Sequence, residues 1–129
     1  MAETVAPVLR ILLVDDNEEL LYSLCRTFRN AGYLVTSAPD AETAIDGLLE
    51  TAPDVVLTDL RLPGRSGLDV LRAVRDAFPD VPVLLVTAYG DEDTWGAARQ
   101  LGAFAMLTKP VLRQELLGTV HRALTRRAA

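Results

Sequence analysis

Four apolar runs in this 129-residue chain each end on a group suited to handling phosphate or a metal ion. Arg10-Ile11-Leu12-Leu13-Val14 leads into Asp15-Asp16, and Asp54-Val55-Val56-Leu57-Thr58 into Asp59. Val81-Pro82-Val83-Leu84-Leu85-Val86 leads into Thr87, and Phe104-Ala105-Met106-Leu107-Thr108 into Lys109-Pro110. Three carboxylates brought together repel one another unless a cation sits among them, and Mg²⁺, which keeps several of its waters, suits one or two such ligands. An Asp carboxylate is also a nucleophile able to form an aspartyl-phosphate. That reaction depends mostly on positioning and on charge neutralisation by metal, ammonium and hydroxyl. Asp15 and Asp16 would then hold the metal, Asp59 attack phosphorus, and Thr87 and Lys109 contact phosphate oxygens. Lys109 is the only lysine beside twelve arginines. Its compact charge fits a small oxyanion site that a planar guanidinium does not. A single Asp or Thr at a strand end is ordinarily a cap or turn residue, but here that reading has to hold at four strand ends.

These groups converge only if the runs are neighbouring parallel strands, and the pattern between them predicts that they are. Strand-like and helix-like segments alternate five times. A first helix over about 17–31 carries Leu20, Leu21, Leu24, Cys25 and Phe28 as a stripe, and Gly32 ends it before a short second strand, Tyr33 to Ser37. A second helix over about 41–51 presents Ala41, Ala44, Ile45, Leu48 and Leu49 behind Asp40 as N-cap. A third, over about 67–78, opens on the capping-box string Ser66-Gly67-Leu68-Asp69. A fourth, over about 91–101, opens on Asp91, Glu92 and Asp93, which suit the positive end of a helix dipole. A fifth, over about 111–127, spaces Leu112, Leu116, Val120 and Leu124 four residues apart. Alternation of this kind yields a doubly wound α/β fold, a parallel sheet with helices on both faces, since right-handed crossovers place them there. Runs that are apolar on both strand faces, as in Ile11–Val14, are what such buried strands require. Ligands bind beyond the strand carboxyl ends at the switch in strand order, which is where the polar groups fall.

Composition narrows the classes. The length suits one domain, and 50% hydrophobic with 24% charged residues is globular. A net charge of −5 argues against direct nucleic-acid binding. No apolar stretch is long enough to span a bilayer, and the early Glu3 without a basic flank does not suit a signal peptide, so the expected location is the cytoplasm. The single cysteine, Cys25, excludes an internal disulfide and reads as a buried spectator.

Leu13-Val14-Asp15-Asp16-Asn17, Thr58-Asp59-Leu60-Arg61-Leu62-Pro63-Gly64, Val86-Thr87-Ala88 and Leu107-Thr108-Lys109-Pro110 resemble the signature segments of response-regulator receiver domains, the CheY-like superfamily. The resemblance covers about residues 8–125, in order and in register, and leaves 1–7 and 126–129 as terminal extensions. It implies a five-stranded sheet of order 2-1-3-4-5 and Asp59 as phospho-acceptor. Asp16 and Asp59 would ligate Mg²⁺ directly, Asp15 through water, and the backbone carbonyl of Arg61 would add a ligand. Thr87 would be the switch hydroxyl, Lys109 the phosphate partner, and Pro110 would follow a cis bond. It also implies a sensor histidine kinase or phosphotransfer protein as donor, and a downstream protein target or an output domain as receiver of the signal. Homodimerisation through the fourth and fifth helices is a further family trait. Chemistry would be limited to self-phosphorylation and self-dephosphorylation.

The chain departs from the family in its relay. Met106 stands three residues before the lysine, where members usually carry Tyr or Phe, and offers no ring. Output is then expected through the 87–91 loop and the fourth helix, with Tyr89 a candidate substitute aromatic. Trp95 and Gly96 lie mid-helix there, and Gly costs about 1 kcal/mol against Ala. Trp95 reads equally as a core plug or an exposed anchor. His121 reads as an ordinary surface or packing residue. Two other classes compete: a receiver-like binding module that is never phosphorylated, against which the complete site set argues, and a haloacid-dehalogenase-like phosphohydrolase. The latter needs Asp-x-Asp after its first strand, which Asp15-Asp16-Asn17 does not supply. No Gly-rich nucleotide loop is present. The end at Arg126-Arg127-Ala128-Ala129 fits either a stand-alone receiver or part of a longer regulator.

Overall fold

The computed structural model describes residues 7–88 and 92–128. Five parallel strands, β1 (Arg10–Val14), β2 (Leu34–Ala38), β3 (Val55–Asp59), β4 (Val83–Thr87) and β5 (Ala105–Thr108), form one sheet of order β2-β1-β3-β4-β5. The helices are α1 (Glu18–Asn30), α2 (Ala41–Asp46), α3 (Leu48–Thr51), α4 (Gly67–Ala77), α5 (Glu92–Gln100) and α6 (Arg113–Ala128). The sheet has an apolar core on each side. Leu12, Val14, Val56, Val83 and Leu85 meet Ala41, Ala44, Leu48, Val70, Leu71, Val74 and Ala98 from α2 to α5. Ile11, Leu13, Val55, Leu57, Leu84 and Val86 meet Cys25 and Phe28 of α1 and Leu116, Val120, Ala123 and Leu124 of α6. Strand residues alternate between the two cores, so both faces must be apolar.

Two expectations about helices are corrected. The second helix is not continuous: it breaks at Gly47 into α2 and α3, and Ala52, at φ 42°, closes α3 in the left-handed region. The break turns Leu48 into the core and leaves Leu49 76% exposed, although an unbroken helix would have put both on its stripe. The last helix begins at Arg113, so Leu112 lies ahead of it and is 74% exposed, while Leu116, Val120 and Leu124 are buried as spaced. Cys25 is a buried free thiol. His121 is exposed on α6.

Capping fixes the elements that flank the strand ends. Asn17 caps α1 by accepting from the Leu20 N–H at 3.0 Å, and Asp40 caps α2 by accepting from the Thr43 N–H at 2.7 Å. The Ser66 hydroxyl accepts from the Leu68 N–H at 3.1 Å, and the Asp69 carboxylate accepts from the Ser66 N–H at 2.9 Å, closing the expected capping box. On the opposite edge of the sheet, Arg75 of α4 donates to the carbonyls of Pro79 and, at 2.6 Å, Val81. The stem lies against Gly102, whose φ of +88° turns the chain from α5 into β5. The guanidinium thus ties down the α4–β4 turn, with its Nε buried and unpaired.

Gly67 sets the distance between α4 and β3. Its N–H donates to the Leu60 carbonyl at 2.7 Å. A β-carbon there would overlap the Asp59 carbonyl oxygen and stand 2.9 Å from the Leu60 Cα, with only backbone to yield. Gly67→Ala is therefore expected to destabilise the fold by about 1–3 kcal/mol, as overpacking does. Urea unfolding checks this, and an unchanged midpoint would refute it.

Candidate functional site

The register of the parallel strands assembles the site. Val14 pairs with Thr58, so Asp15 and Asp59 sit level on neighbouring strands. Asp59 pairs with Val86 and Thr87 with Thr108, which brings Thr87 and Lys109 to the same edge. The Leu60 N–H donates to the Val86 carbonyl and the Lys109 N–H to the Thr87 carbonyl, both at 2.9 Å, and these bonds continue the sheet past its last residues. Alternation then sorts the side chains. Asp15, Asp59 and Lys109 share the parity of Leu13, Leu57 and Leu107, which face α1 and α6. Thr87 shares the parity of Val83 and Leu85, which face α2–α5, the side against which Met106 packs with Leu101 and Ala103.

Asp15, Asp59 and Thr87 are buried and Asp16 is exposed. One carboxylate oxygen from each of Asp15, Asp16 and Asp59 lies within 4.8 Å of the others. Lys109 Nζ is 2.8 Å from Asp59 Oδ2 and 3.3 Å from Asp15 Oδ2. The other oxygens of the two buried acids accept from backbone: Asp59 Oδ1 from the Arg61 N–H at 3.1 Å, and Asp15 Oδ1 from the Asn17 N–H at 2.9 Å. Burial pulls the Lys109 ammonium down. The hydrogen bond to Asp59, the attraction of Asp59 and Asp15, and the bond to Asp15 together outweigh it and hold it above the ordinary lysine range. Behind these groups lies a cavity of about 60 Å³, walled by Leu20, Leu24, Leu57, Val111 and Leu116. The Lys109–Pro110 peptide is cis, as the resemblance implied.

Three carboxylates against one ammonium leave the cluster with two negative charges. Oxygen-only donors, a residual charge of that size and an exposed Asp16 fit a hard divalent cation that retains water. All three acids and the lysine expected from the sequence come together. Thr87 reaches the same edge from the other face, and Tyr89 and Asp91 lie outside the described residues. Two positions were not read from sequence. Asn17, beyond its place in the Asp-Asp-Asn string, pins Asp15 through its N–H while capping α1. Gly67 sets α4 against the Asp59 backbone, and its only signal was a glycine directly after the capping Ser66. Trp95 proves half-buried, its indole nitrogen shielded from solvent without a partner.

A family profile described as "Response regulator receiver domain" matches residues 11–121. The chain is 35% identical over 113 residues to the DNA-binding transcriptional regulator NtrC of Klebsiella pneumoniae, covering 88% of this chain and 24% of that protein. It is 37% identical over 120 residues to the transcriptional regulatory protein PrrA of Mycobacterium leprae, covering 93% and 52%. It thus spans between about a quarter and a half of the length of these curated relatives. A solved receiver-domain protein from Clostridium thermocellum superposes with a TM-score of 0.88 at 31% identity, covering 94% of this chain and 98% of that one. Among the described residues, no helix is long and apolar enough to cross a membrane. With the sheet order, the acid cluster and these matches in agreement, the chain belongs to the response-regulator receiver domains, the phospho-accepting modules of two-component signalling.

Proposed function

We propose that residues 8–125 act as a switch in which Asp59 takes the phosphoryl group of a sensor histidine kinase or a phosphotransfer protein. The observation that carries this is the Lys109 ammonium bridging Asp59 and Asp15 at 2.8 and 3.3 Å, on a cluster that still holds two uncompensated negative charges. In the transfer, an Asp59 carboxylate oxygen forms the new P–O bond as the phosphorus–nitrogen bond of a phosphohistidine breaks. The electron pair returns to the imidazole, which takes up a proton. Asp16 and Asp59 would hold Mg²⁺ directly, Asp15 through water, and the Arg61 carbonyl would complete the protein's share. That ion would supply neutralisation of charge on the transferring group.

The chain's own groups do the positioning. The Arg61 N–H orients one Asp59 oxygen, and the Asn17 N–H fixes Asp15. Lys109 stands where phosphate oxygens would arrive, able to exchange a carboxylate for a phosphate without crossing the site. Thr87, at the end of β4, is the hydroxyl that would move toward the phosphate and carry the change to the α5–β5–α6 face. A downstream protein, or an output domain such as a longer regulator carries, would read that face. Receiver domains are signalling modules, and any hydrolysis here acts on the protein's own aspartyl-phosphate.

Incubation with Mg²⁺ and a small acyl phosphate should add one phosphoryl mass to the wild type and none to Asp59→Asn. An identical adduct on both would refute the assignment. Lys109→Arg keeps the charge but replaces a compact donor by a planar fork. It should lower the yield of the phosphorylation-induced conformational change at equal adduct, read as amide exchange in α5. Unaltered switching would show the lone lysine to be incidental.

The same lysine gives a pH signature. A group whose pKa is raised by folding stabilises fully below its unfolded value, about 10.4 for lysine, and that contribution is lost as pH rises through the higher folded value. Burial raises the Tyr33 phenol, which loses stability in the same direction. Urea stability of the wild type should therefore hold to about pH 10 and then fall. Lys109→Met should lose part of that alkaline slope and keep the Tyr33 part. An equal slope in both proteins would refute the lysine's contribution.

A further inference from the structure

α5 follows β4 in the chain and is the helix with the smallest share of buried residues. Of its nine residues only Ala98 is buried, whereas α4 buries Gly67, Val70, Leu71 and Val74. Gly96 lies inside α5 with no packing reason to be glycine: a β-carbon there would meet nothing within 4 Å. Nor is its φ among the positive ones, which belong to Gly32, Gly64 and Gly102. Alanine would fit and would favour the helix, so glycine here only weakens it. The neighbouring residue adds a second penalty. The Trp95 indole N–H is shielded from solvent with no hydrogen-bond partner. An indole nitrogen only donates, so the penalty stands until an acceptor arrives.

The far end of α5 is held more firmly. Ala98 is fully buried, and the Ala103 N–H donates to the Ala98 carbonyl at 3.0 Å. A helix fixed at its C-terminal end and weakened at Trp95 and Gly96 is built to pivot. Met106 packs on the same core as Ala98 and has no hydroxyl or ring with which to relay a displacement of Thr87.

We propose that Trp95 and Gly96 form the relay of this receiver: α5 rests in a seating disfavoured by an unpartnered indole N–H and an interior glycine, and phosphorylation releases it about Ala98 into one where the N–H is paired. The unpaired N–H disfavours the resting seating, and Gly96 favours release because the helix unwinds there as it leaves that seating, so a modest difference in phosphate contacts suffices to shift the population. Trp95 thereby takes the part that an aromatic at position 106 would play. The inference rests on Asp59 being the phospho-acceptor.

The test uses beryllium fluoride with Mg²⁺ as the phosphoryl mimic, on three proteins. These are the wild type, Gly96→Ala, and protein whose single tryptophan carries a benzothiophene in place of indole, which removes only the N–H. Both altered proteins should be more stable at rest, Gly96→Ala by about fivefold in the folding equilibrium constant. In both, the change in α5 amide exchange on adding the mimic should fall to less than half that of the wild type. Resting stability at or below wild type in both, or a full-size α5 response in both, overturns the relay. A wild type that binds the mimic no better than Asp59→Asn overturns the reading of the site itself. A wild type that binds it through Asp59, with unchanged responses in the altered proteins, overturns the relay alone.

Discussion

Two carboxylates, Asp15 and Asp59, are buried side by side at the end of a parallel sheet, and one ammonium, Lys109, holds them there. Without Lys109 the two buried carboxylates would face each other with no cation between them, which like charges at close range do not tolerate. The surrounding structure can be understood from that constraint. The register of β1 against β3 makes the two acids level. The cis Lys109–Pro110 bond follows the residue that must reach back to them. Backbone N–H groups of Asn17 and Arg61 satisfy the remaining oxygens. Gly67 lets α4 press close enough to fix the Asp59 backbone. The site is thereby held in geometry before any ligand binds, while its residual negative charge keeps it receptive to a cation.

The sheet also separates chemistry from its consequence. Strand alternation aims Asp15, Asp59 and Lys109 at the α1 and α6 side, where the core is continuous and α6 contributes Leu116, Val120, Ala123 and Leu124. Thr87 and Met106 belong to the side covered by α2–α5. Under the proposed switch, a change at Asp59 would reach the second side through Thr87. There it meets α5, with a single buried residue, while α4 beside it is anchored by four. α4 and α5 thus differ in how much apolar surface holds each to the sheet, the quantity on which local stability depends.

Most of the fold was legible because apolar runs and capping signals are local. The strand runs, the Ser66 capping box and the Leu116, Val120 and Leu124 stripe follow from residue type and spacing alone. Where that reasoning missed, a backbone event interrupted an otherwise regular pattern. Gly47 divides the second helix and sends Leu49 to solvent, and the late start of α6 at Arg113 strands Leu112 outside the core. The site's residues could be named for the same local reason, each being the polar group at which an apolar run stops. The partners of those residues could not, because Asn17 and Gly67 act through backbone atoms whose positions depend on distant strands.

The sequence by itself therefore determined which groups this protein can bring to phosphate chemistry and that they come from four strand ends. Hydrophobic patterning makes the strands, and composition leaves one lysine to serve them. Only the tertiary structure decided what those groups do to one another. Pairing register put Lys109 within reach of two carboxylates fifty and ninety-four residues away. Pleat alternation placed Thr87 on the opposite face, and burial without a partner turned Trp95 from a plain core-or-surface alternative into a penalised donor. Burial, register and hydrogen-bond closure are relations between segments far apart in the chain, and no local spacing records them.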